Sequence, residues 1–282
     1  MIKKSFYAAL FMAGAVVASC NNEAATETAK VSGELPSQAK AMDIKEEPVV
    51  YKDGNTTLRG FITYNASDSS KKPAVLVVPE WWGLNDYVRG RAKQLAELGY
   101  VAMSVDMYGD GKIAADPKQA MAFAGPFYQN PQAIKPRFMA AYDLLKANPQ
   151  TDTSRIAAIG YCFGGYVALN AAKMGAGLAD VVTFHGGLGG VAPDKSLLKA
   201  KLLILHGGAD NMVSASEVAQ FKKSMDSIGA SYTFKVYPGA THAFTNPAST
   251  EAGKKFNMPI TYNAQADSAS WKDMKDFFKK NL

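Results

Sequence analysis

The stretch Arg155-Ile-Ala-Ala-Ile-Gly160-Tyr-Cys162-Phe-Gly164-Gly165-Tyr-Val-Ala-Leu169 decides the fold of this chain. Its first part is a short apolar run that ends at Gly160, and its second part has the pattern of a helix that begins just after Cys162. Small residues are needed where the chain turns sharply, because a side chain at Gly160 or Gly164 would collide with neighbouring backbone. The pattern therefore predicts a strand, a tight turn with Cys162 at its tip, and a helix.

A turn of this kind favours nucleophilic chemistry at Cys162. The beginning of a helix carries partial positive charge, which stabilises a thiolate relative to a thiol. The same geometry directs the backbone N–H of Phe163 toward the place where an oxyanion would develop. The alternative is a buried structural cysteine beside packing glycines, and the predicted strand-turn-helix context favours the nucleophile over it.

A cysteine nucleophile needs a base, and the chain has three histidines, His185, His206 and His242. In hydrolases built around such a turn, the order along the chain is nucleophile, acid, histidine. His242 fits that order, whereas the other two precede the candidate acid and are expected to pack and hydrogen-bond at strand ends. Asp210 lies on a loop after a predicted strand, where it can orient the neutral tautomer of His242. A turn-forming aspartate is the alternative.

Apolar runs and helical patterns alternate along the rest of the chain. An antiparallel hairpin is predicted from residues 48–52 and 57–64 around the turn Asp53-Gly54-Asn55. Runs without polar alternation indicate strands covered on both faces, and they occupy 74–78, 100–105, 156–159, 181–184, 202–205 and 232–236. Helices are predicted at 87–98, 134–147, 164–174, 215–228 and 263–280. The fold class is α/β, a mostly parallel doubly wound sheet with an N-terminal antiparallel hairpin, which binds ligands at the carboxyl ends of its strands.

Together with the cysteine turn, the block Val78-Pro-Glu80-Trp81-Trp82-Gly83-Leu-Asn85 resembles the dienelactone hydrolase family. The resemblance covers about residues 48–282 and implies an α/β-hydrolase fold. It also implies an ester or lactone hydrolase that works through a Cys-His-Asp triad and a thioacyl intermediate.

The resemblance further implies roles for two residues of that block. Glu80 would contact the resting thiol and help to make it a thiolate, and the backbone N–H of Trp81 would be the second oxyanion donor. Desolvation beside tryptophan rings would make the Glu80 carboxylate a stronger proton acceptor. An ion pair between Glu80 and Arg89 or Arg91 on the following helix is the alternative.

The chain departs from the family in its expected substrate pocket. Family members that act on an acidic lactone are similar in having two arginines that grip its carboxylate. The matching positions here lie near Asp110 and at Asn246, and neither is basic. Since a buried carboxylate needs a charge-assisted partner, the family's namesake substrate is not expected. A pocket for a neutral or aromatic acyl group is predicted instead, although ordinary core packing is the alternative for its rings, Trp81, Trp82, Tyr108, Phe163 and Phe244.

The N-terminus has the pattern of an export signal. Residues 1–19 contain Lys3 and Lys4, an apolar run and then small residues, and the run is shorter than the roughly 20 residues of a membrane-spanning helix. Val17-Ala18-Ser19-Cys20 resembles a bacterial lipobox, which implies a lipid on Cys20; plain signal cleavage is the alternative. Residues 20–45 predict a flexible tether and 46–282 the hydrolase domain. We expect an exported protein, lipid-anchored to a bacterial membrane and facing the periplasm or exterior.

The distribution of charge and the spacing of the histidines argue against nucleic-acid binding and against a metal site. The net charge is +6, but Lys and Arg are scattered among acids, so nucleic-acid binding is not predicted. No cofactor is expected, and three separated histidines make a poor metal site. The expected partner is a small-molecule ester or lactone, and no oligomeric state is predicted. With Cys20 lipidated, Cys162 is the only remaining thiol and no intramolecular disulfide can form.

Other functions are alternatives to ester or lactone hydrolysis. A non-catalytic surface binding protein can retain a hydrolase fold, and a peptidase or acyltransferase can use the same triad. A thiol redox sensor usually needs a resolving cysteine, and none remains.

Overall fold

The computed structural model of this chain describes residues 41–282. The predicted export signal at 1–19, Cys20 and most of the predicted tether lie outside the described residues. The first strand begins at Ile44, so the sheet includes the last residues of the segment predicted as tether.

Eight strands and seven α-helices make up residues 41–282. The strands are β1 Ile44–Asp53, β2 Thr56–Asn65, β3 Lys72–Val78, β4 Val101–Ser104, β5 Thr151–Tyr161, β6 Asp180–Phe184, β7 Lys201–Gly207 and β8 Tyr232–Tyr237. The helices are α1 Asp86–Glu97, α2 Pro117–Gln129, α3 Ile134–Ala147, α4 Phe163–Lys173, α5 Ala215–Ser227, α6 Ser249–Phe256 and α7 Ala264–Asn281. In this part of the chain, no helix combines the length and the apolar character needed to cross a bilayer.

All eight strands belong to one sheet in the order β1-β2-β4-β3-β5-β6-β7-β8. The six strands from β3 to β8 are parallel to their neighbours, while β1 and β2 form a hairpin and β2 runs antiparallel to β4. The structure thus confirms the predicted fold class, including the antiparallel hairpin at the N-terminal edge.

The central parallel strands contain apolar runs because both faces of the sheet are covered there. In β3, Leu76 points into a core that contains side chains of α3 and α4, such as Phe138. The next residue, Val77, points into the opposite core, with side chains of α1 and α7 such as Phe278. Each such side chain is fully buried, which stabilises the fold by about 1.5–3 kcal/mol relative to an exposed position.

The sequence did not predict two of the helices. Helix α2 has Asp116 as its N-cap and Pro117 in its first turn, but a second proline, Pro126, lies inside it. An internal proline removes a backbone hydrogen bond and normally ends a helix, which hid α2 from pattern analysis. Helix α6 has only eight residues, too few for a clear helical period.

The turn at Cys162 joins β5 to α4 as predicted. Cys162 has φ 52° and ψ −115°, in the positive-φ region that costs a non-glycine residue free energy. A Cβ atom at Gly160 would lie 2.0 Å from the carbonyl oxygen of Gly164, and one at Gly164 would lie 2.2 Å from that of Val78. The expected collisions are therefore confirmed, and the turn depends on glycine at both positions.

Candidate active site

The backbone of Cys162 is held from the neighbouring strand β6. Its N–H donates to the carbonyl oxygen of Phe184 at 3.0 Å and to Nδ1 of His185 at 3.1 Å. Because Nδ1 accepts, Nε2 of His185 carries the proton and donates to Oγ1 of Thr245 at 2.7 Å. Burial holds the pKa of His185 well below its usual value, so the ring stays neutral and keeps its acceptor. The sequence predicted hydrogen bonding at this histidine but not that it supports Cys162.

His242 and Asp210 meet at the carboxyl ends of β7 and β8. Nδ1 of His242 lies 2.8 Å from Oδ2 of Asp210, and both residues are buried. The other oxygen of Asp210 accepts the backbone N–H groups of Met212 and Val213, so this aspartate both forms a turn and contacts the histidine. Burial alone would raise the pKa of Asp210, but these hydrogen bonds outweigh it and hold the pKa below its usual range.

The remaining nitrogen of His242 is directed at the thiol side of the site. Its Nε2 is buried and has no partner of hydrogen-bond geometry among residues 41–282. Burial alone lowers the pKa of His242, but negative charge on the Cys162 sulfur and on Asp210 overcomes this and raises the pKa. A thiolate at Cys162 and an imidazolium at His242 therefore stabilise each other.

Two backbone donors near the thiol are free. The N–H groups of Trp81 and Phe163 make no hydrogen bond within the described part of the chain. Trp81 is held through its own carbonyl oxygen, which accepts the Tyr108 hydroxyl at 3.0 Å. Free N–H groups on fixed backbone can stabilise a developing oxyanion without reorganisation.

Glu80 has a different hydrogen-bond partner from the one that the family resemblance implies. Its carboxylate accepts a hydrogen bond from Nδ2 of Asn246 at 2.6 Å, and no hydrogen bond with Cys162 is present among the described residues. The alternative pairing with arginine is also not observed, because Arg91 binds Asp267 and Arg89 binds Glu46. Burial raises the pKa of Glu80 to about 7, although the Asn246 amide and the nearby His242 act in the other direction.

Cys162 and His242 open into a common cleft of about 400 Å³, a size typical of small-molecule sites. The cleft is walled by the rings of Trp81, Tyr128 and Tyr166 and by Glu217. Tyr128 belongs to α2, the helix that the sequence did not predict, so its contribution could not be anticipated.

The pocket predicted from the sequence differs from the observed cleft in four of its five rings, because only Trp81 lines the cleft and the Phe163 ring is fully buried. Tyr108 and Phe244 are buried in packing, Tyr108 stacked on Phe163 and Phe244 edge-on to His185. Trp82 lines a separate cavity of about 240 Å³ together with Glu80. The sequence shows that aromatic residues follow the predicted strands, but it does not show toward which side of the loop each ring points.

Neither of the two positions that were matched to the family's arginines holds a cation. Asp110 is exposed and Asn246 is bound to Glu80. Residues 41–282 contain no cluster of three or more His, Cys, Asp or Glu side chains that can hold a metal ion.

The chain resembles several known proteins. A Methylorubrum extorquens protein with carboxymethylenebutenolidase in its name is 28% identical over 74% of this chain and 72% of its own length. Protein usf of Aquifex pyrophilus is 29% identical, over 70% and 86%. A dienelactone-hydrolase-like promiscuous phosphotriesterase from metagenomic libraries superposes with a TM-score of 0.80 at 32% identity, over 84% and 98%. The protein m3DLH superposes with a TM-score of 0.81 at 34% sequence identity, over 85% of this chain and 99% of its own.

The sheet, the cysteine turn and these structural neighbours define an α/β-hydrolase. The sequence matches the dienelactone hydrolase family over residues 59–282, and the chain belongs to that family. The protein is accordingly a hydrolase.

The raised pKa of Glu80 predicts a specific pH dependence of stability. The folded protein binds the Glu80 proton up to a pH of about 7, whereas the unfolded chain releases it near the ordinary value of 4.5. Between these values the unfolded state binds fewer protons, so the free energy of unfolding falls as the pH rises. Glu80→Gln keeps an acceptor for Asn246 and removes the pH-dependent contribution of Glu80 to the free energy of unfolding, which amounts to up to about 3 kcal/mol.

Urea denaturation of both proteins between pH 4 and 8 measures the effect. The difference in unfolding free energy between Glu80→Gln and the wild type should grow in favour of the variant across this window. A difference that stays constant with pH would show that Glu80 ionises normally in the folded protein.

Proposed function

We propose that this protein hydrolyses an ester or lactone, with Cys162 as nucleophile, His242 as base and Asp210 orienting the base. The observation that carries the proposal is the shared cleft of Cys162 and His242, with Asp210 2.8 Å from the histidine's far nitrogen. The two free N–H groups of Trp81 and Phe163 add the donors that acyl transfer requires.

The proposed reaction has two halves. The Cys162 thiolate attacks the substrate carbonyl carbon, forming a carbon–sulfur bond, and the carbonyl oxygen becomes an oxyanion between the N–H groups of Trp81 and Phe163. The carbon–oxygen bond to the leaving group then breaks, and the His242 imidazolium gives its proton to the departing oxygen. Neutral His242 next takes a proton from water, which attacks the thioester and releases the acid and the thiolate. Each oxyanion donor typically contributes about 3 kcal/mol to the rate.

Glu80 acts in this proposal through charge rather than through a contact with the thiol. Its carboxylate interacts electrostatically with His242 and is held in place by Asn246. An ionised Glu80 therefore favours the imidazolium form that protonates the leaving group. With Asn246 and Asp110 in place of arginines, the proposed substrates carry no carboxylate at that subsite.

Peptidase, acyltransferase and phosphotriesterase activities use related chemistry. The phosphotriesterase relative shares this fold, and dipeptidyl peptidase 4 of Porphyromonas gingivalis, at 18% identity and a TM-score of 0.64, shares the fold alone. A binding protein without turnover and a thiol redox sensor complete the alternatives. The cleft shared by Cys162 and His242, with two free N–H donors beside it, favours carboxylic ester cleavage.

We further propose that the protein is exported and anchored by a lipid on Cys20. The support is the sequence: a positive start, a short apolar run and Val17-Ala18-Ser19-Cys20. In a bacterial host fed labelled palmitate, the wild type should incorporate label and sediment with membranes, and Cys20→Ala should do neither. Equal labelling of both proteins, or none in either, would contradict the anchor.

Removal of the Cys162 sulfur tests the proposed reaction. Cys162→Ala should fold with an unchanged circular dichroism spectrum and lose hydrolysis of p-nitrophenyl acetate by at least about a thousandfold, because no nucleophile remains. Cys20→Ala removes the other thiol and is the matched control, which should keep wild-type turnover. Undiminished hydrolysis by folded Cys162→Ala would rule out the assigned nucleophile.

A further inference from the structure

The cleft around Cys162 is walled by aromatic rings. Tyr128 and Tyr166 lie with ring centroids 4.8 Å apart and line the cleft together with Trp81. Burial raises the pKa of Tyr128 and Tyr166, so both phenols are neutral at ordinary pH. The faces of such rings carry a negative quadrupole that attracts cations, most strongly ammonium groups with little hydration.

A carboxylate completes the same wall. Glu217 lies in the first turn of α5, and its Oε1 accepts the backbone N–H groups of Leu188 at 2.6 Å and Gly189 at 3.1 Å. Within residues 41–282, the other oxygen of Glu217 has no hydrogen bond or ion pair, and it is accessible to solvent. The loop after β6 therefore fixes the carboxylate at the cleft wall with one oxygen available to a ligand.

Among the described residues, no lysine or arginine lines this cleft, and its one basic side chain is that of His242. The neighbouring cation is Lys173, which is buried behind the loop and donates from Nζ to the carbonyl oxygens of Leu188 and Gly189. Lys173 lines the adjacent cavity instead, although Glu217 borders both cavities. A thiolate at Cys162 and an imidazolium at His242 cancel, so the charge that faces a ligand is that of Glu217.

We propose that the cleft selects esters that carry a cationic group, a quaternary or protonated amine, with Glu217 as the specificity-determining residue. The ammonium packs against the rings of Trp81, Tyr128 and Tyr166, and Glu217 balances its charge. This inference rests on the proposed ester hydrolysis and names the class of substrate for that site. It is also in accord with the absence of an arginine clamp, since both features disfavour an anionic substrate.

Isosteric esters that differ only in charge test the proposal. One pair is acetylcholine and 3,3-dimethylbutyl acetate, which places the charge in the alcohol. The other is the p-nitrophenyl esters of 4-(trimethylammonio)butyrate and 5,5-dimethylhexanoate, which places it in the acyl group. We expect kcat/KM to favour the cation by about tenfold in at least one pair. The pair that shows the preference identifies the side of the carbonyl that faces Glu217.

Glu217→Gln tests the source of the preference. The variant keeps an Oε1 acceptor for Leu188 and Gly189 and removes the charge, so the cation-to-neutral ratio of kcat/KM should fall about fivefold. Glu97→Gln is the matched control, because α1 ends there, at the amino end of β4 and away from the site. Its ratio should equal that of the wild type.

The outcomes separate this inference from the proposed function. Cys162-dependent hydrolysis of the neutral esters with no preference for the cation in either pair would overturn the inference and leave the hydrolase intact. A preference that survives in Glu217→Gln would overturn the role of Glu217. If no ester is cleaved in a Cys162-dependent way, the proposed function fails and this inference fails with it. The comparison of esters uses the wild type and does not depend on how any variant folds.

Discussion

The site depends on one constraint, the strained backbone of Cys162. A positive φ at a non-glycine residue costs of order 1–3 kcal/mol and persists only where the surroundings over-determine it. Here the surroundings are specific: Gly164 packs against the carbonyl oxygens that end β3, and the Cys162 N–H is held by Phe184 and His185. The same close approach brings the beginning of α4 next to the loop that carries Glu80 and Trp81. One tight contact thus places the thiol, the Phe163 N–H and the Trp81 loop together.

Electrostatics at the site follow from burial combined with pairing. Hydrogen bonds hold the pKa of Asp210 below its usual value, interactions with the Cys162 sulfur and Asp210 raise the pKa of His242, and burial lowers the pKa of His185. Burial without these partners would instead favour the neutral forms of Asp210 and His242. The neutral form of His185 matters as much as the charged form of His242, because a protonated ring could not accept the Cys162 N–H.

Sequence patterns predicted the parts of this molecule that regular packing determines. Apolar runs such as 74–78 mark strands covered on both faces, and the glycines around Cys162 mark the turn, because few other arrangements accommodate them. Cys162, Asp210 and His242 each follow a predicted strand, and their order along the chain is that of nucleophile, acid and base. The Asp210–His242 contact was therefore expected before the structure.

Features set by local side-chain geometry were not predictable in the same way. Helix α2 was hidden by its internal Pro126, and with it the ring of Tyr128. The family resemblance assigned the Cys162 thiol as the partner of Glu80, yet the Asn246 amide binds the carboxylate instead. Alternation along a loop does not show which of two adjacent tryptophans faces a cleft, and here it is Trp81 rather than Trp82.

Direct observation of the acyl-enzyme tests the central claim, that acyl transfer passes through the Cys162 sulfur. Wild-type protein is mixed with p-nitrophenyl butyrate, quenched in acid within the first turnover, digested and analysed by mass spectrometry. We expect one butyryl group, bound as a thioester, on the peptide that contains Cys162. A butyryl group on any other residue, or continued turnover with an unmodified Cys162, would contradict it.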